Sequence, residues 1–283
     1  MTAVRNDLLS EGKDLSLVRL CRVVGVPRST TYYQAHERVP RPLDEPLTAE
    51  IHEVIEAFPT FGIRRVWAHL RYRKHRMVNR KKVARIMRRK GWTMHKRPKG
   101  GRPRVQIRRS VASRPNERWS TDVALVFCGI DGWCSFVPVV DCCTRQVLGW
   151  ELSHTARART AQRALEEALL GRFGWTHGAP AGMVLRHDNG LVFGARHYRQ
   201  TVSEYGLSQE FITPYTPEDN GLCERFIRSF KEECVWQHSF ESLAQAREVI
   251  TQWLRWYNAE RPHQALEYRT PDETYAALQS NAA

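Results

Sequence analysis

Acidic residues are missing from one long stretch of this chain: none stands between positions 57 and 116. A solvated helical surface normally mixes both signs of charge, so an unbroken basic run favours contact with a polyanion over an ordinary salt-bridged face. Other absences narrow the field further. There is no run of about 18 apolar residues and no apolar signal segment at the N-terminus, so neither a membrane span nor export is expected. A soluble cytoplasmic protein is the expectation that follows. The seven cysteines, an odd number, include no CxxC pair and no histidine spacing suited to zinc. Adjacent Cys142 and Cys143 are poor co-ligands, and without an export signal reduced thiols are the default.

What the chain does contain is ample for a core: 283 residues, 42% of them hydrophobic, with nine Trp. That length accommodates two domains, or one large domain with an extension. The net charge of +14 is unevenly placed. Residues 1–115 hold 28 Lys and Arg against 9 Asp and Glu, whereas residues 116–283 hold 16 against 21. A basic arm on a mildly acidic body points to nucleic acid as the partner.

Along the arm, residues 15–36 read as two short helices around a Gly25-Val26-Pro27 turn, with Ser29 as N-cap of the second. That is helix-turn-helix grammar, although helical hairpins that bind nothing look similar. After prolines 40, 42 and 46, an amphipathic helix is expected over 47–57. A second helical pair follows at 62–90, with Ile63, Val66, Trp67 and Leu70 on one apolar stripe and Val83, Ile86 and Met87 on the other. Its remaining faces hold 13 Lys or Arg, among them Arg64, Arg65, Lys81, Lys82, Arg85, Arg88 and Arg89, which are the candidate DNA contacts. The composition divides the chain into a helix-turn-helix-like region (1–45), a basic helical DNA-binding region (46–95), a basic linker (96–116), a body of different period (117–235) and a C-terminal helix and tail (236–283).

The body changes period. Residues 118–128, 133–140 and 146–152 read as strands joined by breaks short enough for antiparallel hairpins. Then come a helix at 160–170, a buried strand at 183–186, a helix at 196–205, a strand at 209–212 and a helix through Cys223, Phe226, Ile227 and Phe230. The order βββαβαβα predicts an α/β fold with a mixed five-stranded sheet flanked by helices, preceded by the all-α basic region. The amphipathic tail helix at 242–258 carries Trp and Tyr that could stack on bases but are expected in the core.

Three carboxylates stand where this architecture can make them converge. Asp122 lies in the first strand, Asp188 follows the fourth in the loop HDNG, and Glu224 lies on the last helix, with 35 residues between it and Asp188. Each has an ordinary reading: a satisfied strand aspartate, a turn, half of an i,i+4 pair with Arg228. Together they would repel one another unless a cation sat between them. Oxygen-only ligation suits Mg²⁺ or Mn²⁺, and two such ions can stabilise the attacking and leaving oxygens of phosphodiester chemistry.

These residues carry a resemblance. Asp122, Asp188, Glu224 and Lys231 resemble the DDE centre of retroviral integrases and bacterial transposases. The segments FGIRRVWAHLR (61–71), RWSTDV (118–123), HDNGLVF (187–193), TPYTPEDNGLCERFIRSFKEE (213–233) and YNAERPHQALEYRTPDE (257–273) resemble the downstream-frame product of two-reading-frame insertion sequences. The resemblance covers nearly the whole chain. It implies that 117–235 is an RNase-H-like integrase catalytic core, with metal-dependent cleavage and strand transfer at element ends by water or a DNA 3′-hydroxyl. Asp122, Asp188 and Glu224 would be the metal ligands, with Lys231 and Arg228 contacting DNA. Asn189 and Gly190 would shape the turn at Asp188, and Asn220-Gly221 would lie in a moving loop. The partners implied are double-stranded DNA, an upstream-frame protein or fusion, and further copies of the chain in a synaptic complex. The zinc module of retroviral integrases and any heptad zipper are absent from the sequence. A non-catalytic DNA-binding regulator and a plain RNase-H-like nuclease are the competing readings. If the basic 62–109 region tracks phosphates, DNA affinity measured by anisotropy falls steeply with salt through counterion release; a flat dependence overturns that footprint.

Overall fold

The computed structural model describes residues 2–12, 14, 16–33, 42–94, 112–174, 178–212 and 220–280. Contacts divide the chain into a small unit, 1–45, and a large one, 46–283.

The small unit holds α1 (Thr2–Ser10), α2 (Leu17–Val24) and α3 (Arg28–Thr31). Ser16 caps α2 by accepting from the Arg19 amide at 3.3 Å, and Gly25, at φ 70°, ends it in the left-handed region. The second helix departs from expectation. Pro27, not Ser29, is the N-cap of α3, and Ser29 lies inside it. The helix lasts a single turn, for which the β-branched Thr30 and Thr31 are poor propagators, and Tyr32 and Tyr33 lie beyond it, exposed. The remainder of the expected helix, 34–36, lies outside the described residues.

In the large unit α4 (Glu45–Ala57), α5 (Ile63–Ala68) and α6 (Arg80–Arg89) come first, α5 running on through a π-helical turn at His69–Arg73. Val66, Leu70, Val83, Ile86 and Met87 are all fully buried, as their spacing predicts. Asn79 caps α6 by accepting from the Lys81 amide at 2.8 Å.

The sheet has β1 (Arg118–Thr121), β2 (Ala124–Phe127), β3 (Trp133–Asp141), β4 (Val147–Ser153), β5 (Val184–His187) and β6 (Ser208–Phe211). It contains six strands where five are expected because the 118–128 run is split. Both β1 and β2 lie antiparallel to β3, pairing Ser120 with Val140 and Ala124 with Phe136. Between them the Asp122 carboxylate accepts from the adjacent Val123 amide at 2.8 Å, a local bond that competes with the ladder. On the other side β1, β5 and β6 run parallel, while β4 pairs antiparallel with β3.

Helices cover both faces. α7 (Ala158–Phe173), the one-turn α8 (Leu191–Gly194) and α9 (Arg196–Glu204) lie on one, packing with Trp119, Val137, Val139 and Leu185. On the other, α10 (Gly221–Glu233) and α11 (Leu243–Ala259) bring Phe226, Phe230, Ile250, Trp253 and Tyr257 against Val126, Phe136 and Leu152. The tail aromatics Trp253 and Tyr257 are therefore core residues. α12 (Pro271–Ser280) closes the chain. No helix among the described residues is long and apolar enough to cross a membrane. All seven cysteines are free, and every one but Cys143 is buried.

The basic helices pack against the C-terminal part through a buried ion-pair cluster. Glu233, at the end of α10, accepts from Arg261 through Nε and Nη2, both at 2.7 Å, and from Arg65 Nη1 at 2.6 Å. Its side chain is only 4% exposed. Arg261 also lies over the Tyr257 ring, 5.3 Å from the centroid. Beside it, burial and then the Arg261 charge push His263 down to about 2, so this ring stays neutral. Phe58 stacks on Trp256 at 5.2 Å, and Arg73 pairs with Glu273 at 2.7 Å.

Two stability predictions follow from this packing. A Cβ on Gly149 would overlap the Ala164 carbonyl oxygen and the Ala168 amide nitrogen, because β4 and α7 meet at backbone distance. Gly149→Val should lower the unfolding free energy in urea titrations by about 1–3 kcal/mol. Burial raises the Glu233 carboxyl, but Arg261 and Arg65 outweigh it and hold the group below its ordinary 4.5. A carboxyl more acidic folded than unfolded contributes fully above that ordinary value, and its contribution fades as pH falls through the folded value. Glu233→Gln should cost about 3 kcal/mol at pH 7, since it leaves two guanidiniums facing a neutral amide. The deficit should shrink in urea melts below pH 4.5; a deficit independent of pH would contradict it.

Candidate active site

Asp122 owes its place to the break between β1 and β2. Side chains alternate along a strand, and Ala124 and Val126 point into the core under α10, so even-numbered Asp122 falls on the α10 side. It is half-buried. Burial raises its pKa most, the Val123 hydrogen bond opposes that, and Asp188 and Glu224 raise it further while Lys231 lowers it; the outcome is about 6. Asp188, Glu224 and Lys231 thus each act on the Asp122 carboxyl.

Asp188 follows β5 directly. Its Oδ1 accepts from the Gly190 amide at 3.0 Å, closing a tight turn. A Cβ at Gly190 would lie 2.9 Å from that oxygen, so a side chain there would press the Asp188 carboxylate aside. Asn189 donates through Nδ2 to the Ile212 carbonyl at 3.0 Å, tying the turn to the end of β6. Behind it, buried His187 has Nδ1 2.7 Å from the Asp188 carbonyl oxygen and Nε2 2.9 Å from the Gln209 amide nitrogen. Burial lowers the His187 pKa, which keeps the ring neutral with Nδ1 donating and Nε2 accepting.

Glu224 sits in the first turn of α10, where a carboxylate is favoured by the helix dipole, and it is exposed. Lys231 lies two turns on, half-buried. Among the described residues no three of His, Cys, Asp and Glu are close enough to hold an ion as they stand. The triad shares an electrostatic field without having closed to ligand distances.

Asn220 has a different place from the one expected. It is 2% exposed, its Oδ1 accepts from the Ser120 hydroxyl at 2.5 Å, and its Nδ2 approaches the Thr121 carbonyl at 3.4 Å. The residue pins the start of α10 to β1 two positions before Asp122. Its position ahead of a helix suggests an N-cap, yet it makes no side-chain cap bond, because the amide is spent across the sheet. The rest of the expected moving loop, 216–219, lies outside the described residues.

The candidate DNA contacts divide. Lys81, Arg88 and Arg89 are exposed on α6, and Lys82 and Arg85 are half-buried there. Arg64 is exposed but donates to Gln264 at 2.9 Å. Arg65 is half-buried and its guanidinium is held by Glu233 at 2.6 Å, so it also serves the packing of the basic helices. Arg228 pairs with Glu232 at 2.9 Å, not with Glu224.

Known proteins resemble this chain along most of its length. One integrase core domain family matches residues 112–217, a second matches 205–271, and an HTH-like domain family matches 42–100. The HTH-like match therefore falls on α4–α6, downstream of the 15–36 stretch that has helix-turn-helix grammar. The insertion element IS407 31.7 kDa protein of Burkholderia multivorans is 32% identical over 285 residues, covering 100% of this chain and 96% of its own length. The insertion element IS476 39.2 kDa protein of Xanthomonas euvesicatoria is 32% identical, covering 94% and 74%. Transposase InsD of insertion element IS2 from Escherichia coli is 30% identical, covering 94% and 92%. Among solved structures, the BIV integrase catalytic core aligns at TM-score 0.44 and 18% identity over 59% of this chain and 98% of that one. Similarity of this extent to the curated relatives, end to end, means that the chain belongs to the integrase-core transposase family of bacterial insertion elements.

Proposed function

We propose that Asp122, Asp188 and Glu224 form the catalytic centre with which this DNA transposase cuts and joins strands at the ends of its element. Members of the family are polynucleotidyl transferases, so the chemistry is attack on a DNA phosphodiester. The observation that supports the assignment is placement: Asp122 follows β1, Asp188 follows the parallel neighbour β5, and Glu224 lies in the first turn of α10, whose start Asn220 bonds to β1. Burial raises the Asp122 carboxyl most, and Asp188 and Glu224 raise it further. Three carboxylates near one another, with Lys231 beside them, hold negative charge that calls for a cation.

The donor set fits a hard divalent ion. Every available atom is a carboxylate oxygen, the combination that suits Mg²⁺ or Mn²⁺ and not zinc. Bound there, a pair of such ions would stabilise charge on the attacking and leaving oxygens. The protein's own side chains do the rest. Asn220 fixes the start of the helix that presents Glu224, and the Asn189-Gly190 turn holds Asp188 against the end of β6. Lys231 supplies positive charge beside the scissile phosphate, with Arg228 at the margin. Lys81, Lys82, Arg85, Arg88, Arg89 and Arg64 hold the flanking duplex by its phosphates. The attacking group is water in cleavage and a DNA 3′-hydroxyl in strand transfer. Pairing two element ends calls for more than one copy of the chain, and an upstream-frame protein or fusion is the expected partner. No observation favours a non-catalytic regulator.

Asp122→Asn, Asp188→Asn and Glu224→Gln should each lower Mg²⁺-dependent cleavage of end-containing DNA by about 10³-fold or more on sequencing gels. Duplex affinity without divalent ion should change by no more than about two-fold, because phosphates on the basic helices supply most of it. Variants that still cut and join would remove these residues from the centre.

A further inference from the structure

Beyond the carboxylates, where β6 forms the edge of the sheet, a groove of about 560 Å³ opens between α9 and β6. Arg196, Arg199 and Gln200 line it from the helix, and Gln209 and Phe211 from the strand; no acidic side chain lines it. Arg196 and Arg199 are three apart, on one face of α9. Among the described residues neither guanidinium has a hydrogen-bond or ion-pair partner. Of the two nearest acids, Glu204 at the end of α9 accepts from Gln200 Nε2 at 2.8 Å, and Glu210 on β6 is spent on Arg118 and Arg186. The first turn of α9 carries no acidic residue either.

The opposite wall is aromatic and fixed. Phe211 is 45% exposed and meets the His187 ring edge-to-face, with centroids 4.5 Å apart. Gln209 is anchored on the His187 ring nitrogen at 2.9 Å and the Phe193 carbonyl at 3.1 Å. His187 in turn precedes Asp188. A ligand in the groove would therefore lie one residue's contacts away from a catalytic carboxylate.

We propose that this groove binds a single-stranded stretch of DNA beside the carboxylate centre, with one base stacked on Phe211 and its flanking phosphates on Arg196 and Arg199. The proposal rests on the DNA-joining function above and adds a subsite to it. Its volume lies within the range of about 300–1,000 Å³ occupied by small-ligand sites, which admits a nucleotide and excludes a duplex. Base stacking on an aromatic ring also requires a base freed from its neighbours. Two unpaired guanidiniums in a groove without acids match phosphate, not a cation or an apolar peptide.

Anisotropy with the full-length chain in buffer without divalent ion tests this, comparing a duplex bearing a single-stranded 3′ overhang with the same duplex blunt. Wild type should prefer the overhang, and Phe211→Ala should reduce that preference about ten-fold. On overhang DNA, R196A/R199A should make the slope of log affinity against log salt shallower by about 1.4, whereas R196K/R199K should retain it. Thermal melts of each variant identify any that fail to fold. Equal affinity of wild type for overhang and blunt DNA, or an unchanged slope in R196A/R199A, overturns the groove. Wild type that binds overhangs as stated yet never cuts DNA removes the catalytic assignment and leaves the groove standing. Cleavage by wild type with both variants binding unchanged does the reverse.

Discussion

One carboxylate, Glu233, holds the large unit together. It stands at the C-terminal end of the helix whose first turn presents Glu224, and it is clamped by Arg65 from the basic helices and Arg261 from the loop after α11. Taking these charges out of water is expensive, and the arrangement is tolerable because both carboxylate oxygens are bonded and Arg261 engages them in a fork. The geometry of the catalytic helix is thereby tied to both flanking segments. Segments that composition separates, 46–95, 117–235 and 236–283, share one compact unit. The RPH motif of the sequence, for which spacing offers no chemistry, has its physical role here: an arginine in the clamp, with a neutral histidine beside it.

The two ends of α10 are secured by different means. Asn220 bonds the N-terminal end to β1, and Glu233 anchors the other end through ions. Between these ends, Phe226 and Phe230 seat the helix on the sheet. The offset of about 100° between the apolar stripe and Glu224 leaves that carboxylate on the exposed side of the helix instead of in the core.

Much of this was legible in the sequence, because period and burial are local. The stripes of α6 and α11 and the strands β3 and β4 appear within a residue or two of where alternation puts them. The three carboxylates and the family resemblance were legible for another reason: charged residues at strand ends and a helix face have few structural uses in combination. What could not be read depends on partners far away in sequence. Arg65 looks like one more charge in a basic run until Glu233, 168 positions later, takes hold of it. Asn220 looks like a loop residue until Ser120 takes its amide oxygen. The break at Asp122 is hidden for the opposite reason, since the alternation of RWSTDVALVFC is uninterrupted and a single side-chain bond to the next amide divides it. In the small unit, α3 stops after one turn where the sequence suggests a longer helix.

The distribution of thiols gives the large unit a built-in gauge of its own integrity. Five of its six cysteines are buried and only Cys143 is partly open to solvent. Cys128, Cys134 and Cys223 lie in the core beneath α10 and α11, and burial raises the Cys128 and Cys223 thiols well above the ordinary value. An alkylating reagent that needs the thiolate finds little to attack while the core is closed. Label counted by mass on the intact chain would rise in step with separation of α10 from the sheet, which makes alkylation a readout of how firmly the helix bearing Glu224 is seated.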